Sequence, residues 1–108
     1  MEQLTLREKK GANYMLLELS GALNAYTVSE FQEKVYTYIQ NSNVVVDLSQ
    51  VYAIDSSGLG VIMAGFNDGE EYHTRLYLLN PSEGAKKAID STGFEDTFFF
   101  IHSVTEVQ

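Results

Sequence analysis

The chain has 108 residues, 44% of them hydrophobic and 20% charged, a composition typical of a globular domain rather than a disordered chain. Lys and Arg number 7 against 15 Asp and Glu, and the net charge of −8 disfavours nucleic-acid or anionic-membrane partners. The lack of cysteine excludes disulfides and thiolate chemistry. No apolar run resembles a secretory signal or approaches the ~20 residues of a membrane helix. We therefore expect one cytoplasmic domain over residues 1–108.

The N-terminal residues predict an antiparallel hairpin. Residues 4–6 alternate between apolar and polar, and residues 14–19 alternate their side chains between two faces. The polar stretch between them contains Gly11, which suits a tight connection. Gly21 is expected to end the second strand.

A helix and a buried strand are predicted next. Thr27 and Glu30 have the spacing of a capping box, in which the threonine hydroxyl accepts from the Glu30 amide. Apolar residues then recur at helical spacing, which predicts a helix ending near Asn41. Residues 44–48 are β-branched and almost wholly apolar, which indicates a strand at the centre of a sheet.

The second half of the chain alternates helix and strand. Apolar positions from Leu59 to Phe66 predict a helix that ends around residues 67–69, and residues 76–79 predict a strand. Asn80 as N-cap and Pro81 in the first helical position predict another helix, with Gly93 as its C-cap. Residues 98–101 form the last predicted strand, and residues 103–106 match the start of a helix. The order β-β-α-β-α-β-α-β predicts an α/β fold with a mainly parallel sheet.

Residues 55–60, Asp-Ser-Ser-Gly-Leu-Gly, are the one segment that suggests a functional site. They follow the buried strand and open a helix, where backbone amides lack partners and favour negative charge. A hydroxyl there can cap the helix, or it can carry a phosphate that the amides stabilise. Gly58 and Gly60 would let another protein approach closely. The residues alone leave capping by Ser56 or Ser57 and modification equally open.

Residues 44–49 followed by residues 54–62 resemble the signature of STAS domains, and more narrowly that of the bacterial anti-sigma factor antagonists. Residues 21–25, 80–81 and 91–94 extend the resemblance over nearly the whole chain. The resemblance implies a mixed sheet with helices mostly on one face. Asn24 departs from it, because many relatives have an acidic residue there. The C-terminal helix of the family is almost absent, which implies either exposed apolar surface around Phe98, Phe99 and Phe100 or a helix supplied by a partner. We interpret Phe98, Phe99 and Phe100 as core and sheet packing.

The resemblance also implies a function. In these antagonists, the serine after the motif aspartate, here Ser56, is phosphorylated by a partner that is both anti-sigma factor and serine kinase. The unphosphorylated form binds that kinase, and a metal-dependent phosphatase of the PP2C type restores it. The resemblance implies no catalysis, no cofactor, and a monomer or weak dimer. The partner-binding residues it implies are Asn24, Asp55, Ser56, Ser57, Gly58, Leu59 and Gly60.

Two other functions remain open. A STAS subunit of a stress-signalling or lipid-transport assembly would lack the phosphorylation switch. A small hydrolase would use Ser56 or Ser57 as nucleophile and would need His73 or His102 as its base. The isolated histidines disfavour a zinc site. Most of the scattered tyrosines are expected to be half-buried packing residues: Tyr26, Tyr36, Tyr38, Tyr52, Tyr72 and Tyr77.

Overall fold

The secondary structure follows the predicted order throughout residues 3–108, the part of the chain that the computed structural model describes. The first two residues of the domain predicted over residues 1–108 lie outside this part. The elements are β1 (Leu4–Lys10), β2 (Tyr14–Leu23), α1 (Val28–Ile39), β3 (Asn43–Ile54), α2 (Ser56–Tyr72), β4 (Leu76–Leu79), α3 (Glu83–Asp90), β5 (Phe99–Ile101) and a 3₁₀ turn at Val104–Glu106.

The five strands form one sheet in the order β1-β2-β3-β4-β5. The β1–β2 hairpin is antiparallel, and all other neighbouring strands are parallel. The predicted α/β fold with a mainly parallel sheet is confirmed. β3 is the central strand, and the side chains of Val44, Val45 and Val46 are fully buried, as their β-branched run predicted.

The helices cover one face of the sheet. Phe31 and Val35 of α1, Ile62 of α2 and Ile89 of α3 share one hydrophobic cluster with the inward residues of β2, β3 and β4. The hydrophobic cluster on the opposite face is smaller. Val104 and Val107 of the C-terminal segment pack there against Val45, Tyr77, Leu79 and Ile101. Val104 and Val107 therefore pack on the face of the sheet on which Phe99 lies.

The three consecutive phenylalanines pack as interpreted from the sequence. Phe98 is buried in the main cluster, and Phe100 packs against the same cluster. Phe99 belongs to the cluster on the other face and lies 5.8 Å from the Tyr77 ring, centroid to centroid. This alternation places the three rings on both faces of the sheet edge.

Gly21 does not end β2, contrary to the prediction. The strand continues to Leu23, and Gly21 adopts a φ of 119° beside Leu4, its partner in β1. A side chain at this position would collide with the Gln3 carbonyl oxygen. The glycine therefore permits a close approach of two strands. From the sequence alone, a glycine with this role looks the same as a glycine that ends a strand.

The predicted capping box at the start of α1 is wrong. Thr27 makes no side-chain hydrogen bond to the helix. Its hydroxyl instead donates to the Ala22 carbonyl oxygen at 2.8 Å and accepts from the Asn24 amide at 2.9 Å. Backbone groups of Ala22 and Asn24, just before the helix, thus occupy the hydroxyl that was expected to cap it.

α2 extends past its predicted end to Tyr72 and is capped by His73 in a left-handed conformation. Gly69 lies inside the helix because the chain turns back directly over it. A Cβ atom there would lie 2.9 Å from the Thr74 carbonyl oxygen, and the Gly69 carbonyl accepts from the Thr74 amide at 2.9 Å. The glycine marks a close approach, and the helix does not break at it.

α3 begins two residues later than predicted. Ser82 is the N-cap, and its hydroxyl accepts from the Ala85 amide at 3.1 Å. Asn80 instead has a φ of 45° and donates through its amide nitrogen to the His102 carbonyl oxygen at 3.2 Å. Gly93 has a φ of 78° but lies two residues beyond the observed cap, Ser91.

Candidate functional site

The candidate site lies where β2 and β3 end side by side. Leu23 pairs with Ile54 at the last position of the parallel register. The Asp55 amide then donates to the Leu23 carbonyl oxygen at 3.0 Å. Asn24 and Asp55 therefore follow neighbouring strands at the same end of the sheet. The fold thus brings together two predicted site residues that are 31 positions apart in the sequence.

Asp55 caps α2. Its backbone is extended, and its Oδ1 atom accepts from the amide nitrogens of Ser57 at 2.9 Å and Gly58 at 3.2 Å. The interpretation in which Ser56 or Ser57 caps the helix is therefore wrong. The amides that were expected to stabilise a phosphate are also in part occupied, because the Asp55 carboxylate already takes two of them.

The two serines stand at the surface of the first helical turn. Ser56 is exposed and Ser57 is half-buried. Neither hydroxyl forms a hydrogen bond to any residue between 3 and 108. Of the two, the Ser56 side chain is the more accessible from solvent.

The two glycines of the segment serve different purposes. A Cβ atom on Gly58 would lie 2.8 Å from both Ile54 Cγ2 and Leu23 Cγ, so this glycine lets the helix pack closely on the strand ends. A Cβ atom on Gly60 would meet nothing within 4 Å. Leu59, between them, packs partly into the core. Only Gly60 therefore leaves bare backbone facing outward.

Asn24 shapes the loop that borders the site. Its side-chain oxygen accepts from the Tyr26 amide at 2.9 Å, and its own amide donates to the Thr27 hydroxyl at 2.9 Å. This is the local hydrogen bonding that favours Asn and Asp in turns. An aspartate could form the same turn, so the asparagine keeps the geometry of the loop and removes a negative charge.

Two exposed tyrosines flank the site and were missed in the sequence. Tyr26 is 94% exposed in the loop after Asn24. Tyr52 is 58% exposed, because β3 has an extra residue there: Gly21 pairs with Val51 and Ala22 with Ala53. An aromatic residue directly before a helix start was the available signal for Tyr26, whereas the bulge that turns Tyr52 outward has none.

The prediction that most of the six tyrosines are half-buried is wrong, because five of them are either exposed or buried. Tyr26, Tyr36, Tyr52 and Tyr72 are exposed, and Tyr77 is only 3% exposed. Tyr38 is half-buried and donates its hydroxyl to Glu8 Oε2 at 2.6 Å. The amphipathic ring of tyrosine suits both environments, so its type alone does not determine its exposure.

The two sequence segments that build the site carry no basic residue. The segments at residues 11–33 and 44–74, which contain the whole candidate site, have no Lys or Arg. Asp55 adds a carboxylate at the helix start. A phosphate placed on Ser56 would therefore lie next to a like charge, with no basic residue in either segment to pair with it.

Of the two histidines considered as a base, His73 is remote from the serines. α2 has 17 residues and is therefore about 25 Å long, so His73 at its C-terminal end is remote from Ser56. The Nδ1 atom of His102 lies 3.3 Å from Asn80 Oδ1.

Within residues 3–108, no His, Cys, Asp and Glu side chains form a group of three that could hold a metal ion. None of the helices in this range combines the length and apolar character needed to span a membrane.

Comparison with known proteins points to one family. The family model of the STAS domain matches residues 3–107. An anti-sigma-B factor antagonist from Staphylococcus epidermidis is 31% identical over 94 residues, which cover 85% of this chain and 86% of that protein. An anti-sigma-B factor antagonist from Listeria monocytogenes is 25% identical over 91 residues, covering 82% of this chain and 80% of that protein.

Solved structures share the fold. The anti-sigma factor antagonist SpoIIAA in its unphosphorylated form superposes with a TM-score of 0.77 at 21% identity, covering 94% of this chain and 91% of that one. The Bacillus cell fate determinant SpoIIAA in its phosphorylated form superposes with a TM-score of 0.72 at 22% identity, covering 94% and 95%.

Proposed function

This chain belongs to the STAS domain family, and on that basis we propose that it is an anti-sigma factor antagonist whose docking is switched off by phosphorylation of Ser56. The observation that carries the proposal is the exposed Ser56 side chain, which begins α2 directly after the capping residue Asp55. A serine in this position is accessible to a modifying enzyme. SpoIIAA, which shares the fold, has been solved in both unphosphorylated and phosphorylated forms.

The unmodified surface around Ser56 has the features of a protein-binding site. Gly60 leaves a bare stretch of helix against which a partner could pack closely. Tyr26 and Tyr52 add exposed aromatic rings, the residue type most often found at the energetic centre of interfaces. We propose that the partner covers these residues together with Asn24, Asp55, Ser56 and Ser57.

Phosphorylation would oppose this docking through charge. A phosphate adds about −1.5 to −2 charges at neutral pH. On Ser56 it would stand beside the Asp55 carboxylate, and neither segment of the site offers a basic residue. Burying this group in an interface would cost free energy, and each ~1.4 kcal/mol weakens binding about tenfold. Because the Asp55 carboxylate already caps the helix, the phosphate is expected to leave the fold intact.

The finer parts of the proposal concern the partners. The partner is an anti-sigma factor that is also a serine kinase, and a phosphatase of the PP2C type removes the phosphate. The chain itself performs no catalysis, needs no cofactor and acts in the cytoplasm as a monomer or weak dimer. Residues 1–108 act as one domain. These statements remain predictions.

Phosphorylation by a candidate anti-sigma kinase tests the proposal. We expect ATP and the kinase to modify wild-type protein and the Ser57→Ala variant, and to leave Ser56→Ala unmodified, as measured by intact mass and phosphopeptide mapping. Binding of the kinase partner to the unphosphorylated chain should be lost in Ser56→Asp and kept in Ser56→Ala. A phosphate mapped to another residue would refute the switch. Undiminished binding by Ser56→Asp would instead favour a STAS subunit of a larger assembly without a switch.

A further inference from the structure

A groove runs between the exposed faces of α1 and α2. It encloses about 470 Å³, and the side chains of Val35 and Val61 form its buried floor. The two helices approach closely at Gly65, where a Cβ atom would lie 2.7 Å from Val35 Cγ1. Ala64 on α2 is too small to cover the floor, and the ring of Tyr36, 59% exposed, forms the opposite wall. The groove therefore combines an apolar floor with an open top.

The rim of this groove is acidic. Glu33 of α1 and Asp68 of α2 line it, and no Lys or Arg is among its lining residues: Ser29, Gln32, Glu33, Val35, Tyr36, Val61, Ala64, Gly65 and Asp68. α2 contains no basic residue, and the one lysine of α1, Lys34, lies 3.4 Å from Glu8 Oε2 on β1. The negative charge along the groove is therefore not neutralised by either helix.

The C-terminal end of α2 is also negatively charged. Partial burial, together with the charges of Glu71, Tyr36 and Asp68, raises the pKa of the Tyr72 hydroxyl above its usual value. Glu70 and Glu71 are both exposed and extend the acidic surface at this end of α2.

We propose that the groove binds a basic amphipathic segment of a partner protein. Apolar side chains of that segment would cover Val35 and Val61, and its Lys or Arg side chains would face Glu33 and Asp68. The exposed ring of Tyr36 adds a face on which a cation can stack. Charge complementarity decides between occupants: nucleic acids and anionic lipids are repelled, and a polyamine has only short methylene spacers and no apolar side chain to cover the floor. The proposal does not depend on the phosphorylation of Ser56.

A synthetic peptide of Leu and Lys at amphipathic helical spacing tests the proposal by fluorescence anisotropy with the full chain. We expect saturable binding, with Asp68→Lys and Glu33→Lys each weakening the affinity by about tenfold or more, equivalent to ~1.4 kcal/mol. Asp96→Lys is the matched control, because it makes the same change of charge at an exposed residue between α3 and β5. Amide chemical-shift changes on peptide addition should cluster on α1 and α2.

Several results would overturn the proposal. An equal loss of affinity in Asp96→Lys would show that the peptide is attracted by the overall negative charge of the protein and not by the groove. Shift changes elsewhere on the surface would place the peptide at another site. Equal binding of spermine, or of a peptide in which Glu replaces Lys, would remove the need for a basic amphipathic ligand. The Ser56→Ala variant should bind the peptide as the wild type does, so a failure here leaves the proposed switch standing.

Discussion

The Asp55 carboxylate accepts a hydrogen bond from the backbone amide of Ser57 at 2.9 Å and so caps α2. The hydroxyls of Ser56 and Ser57 therefore have no capping role. Asp55 therefore stabilises the helix start, whereas the Ser56 side chain makes no hydrogen bond to the described residues. Substitutions at Asp55 and Ser56 should therefore separate folding from recognition.

Replacing Asp55 tests this separation. Asp55→Ala removes the acceptor of two helix amides and is expected to lower the free energy of unfolding by about 1 kcal/mol. Asp55→Asn keeps a capping oxygen and should retain most of that stability while losing the charge. Urea denaturation at neutral pH measures both. Ser56→Ala is the control and should unfold at nearly the wild-type midpoint, and a loss as large as that of Asp55→Ala would contradict the assignment of the cap.

The two glycines of the site should respond oppositely to alanine. Gly58→Ala places a methyl group 2.8 Å from Leu23 and Ile54 side-chain atoms and is expected to destabilise the fold, by about 1–3 kcal/mol for an overpacked position. Gly60→Ala meets no atom within 4 Å and should stabilise the helix by about 0.5–1 kcal/mol. Thermal unfolding of both variants provides the comparison. Equal destabilisation by the two changes would show that Gly60 is packed after all.

The order of helices and strands along the chain was predictable because it depends on local periodicity. The run at Val44–Val46 reads as a central strand from its residue types, and the alternation after Tyr14 correctly separates the two faces of β2. The approximate position of the candidate site follows from the same patterns, since the motif stands between a buried strand and a helix.

The details that the sequence missed depend on conformations and contacts that form only in the folded chain. Gly21 is shaped by its contact with Gln3 and Gly69 by the returning chain at Thr74, so neither acts as the local breaker it resembles. The identity of the capping residue depends on the backbone conformation of Asp55, which is extended in the folded chain. Tyr52 turns outward because of a bulge in β3 relative to β2. Such tertiary contacts override local preference.

Tyr26 is expected to be a principal contact of the proposed anti-sigma partner. Its ring is 94% exposed, so Tyr26→Ala should leave the unfolding midpoint unchanged. Loss of an aromatic residue at the centre of an interface costs about 2 kcal/mol or more, which corresponds to at least about 30-fold weaker binding. Titration calorimetry with the unphosphorylated chain and the partner measures this. Phe94→Ala, at a ring 52% exposed in the loop after α3, is the control, and an equal loss in both variants would argue against a specific role for Tyr26.

The link between β1 and α1 predicts a pH-dependent contribution to stability. The Tyr38 hydroxyl donates to Glu8 Oε2 at 2.6 Å, and this hydrogen bond, assisted by Lys34, lowers the pKa of the Glu8 carboxyl against a smaller opposing effect of burial. A carboxyl whose pKa is lower in the folded state stabilises the fold above its unfolded pKa, and the contribution is lost as the pH falls through the folded value.

Tyr38→Phe should therefore raise the pKa of Glu8 toward its usual value, as followed by the side-chain carboxyl shift in an NMR titration. The variant should also lose less stability than the wild type when the pH is lowered below the ordinary range of a carboxyl group, because less of its stability depends on an ionised Glu8. Tyr36→Phe, at an exposed tyrosine of the same helix, is the matched control and should leave the titration of Glu8 unchanged. An unaltered Glu8 titration in Tyr38→Phe would show that this hydrogen bond is not formed in solution.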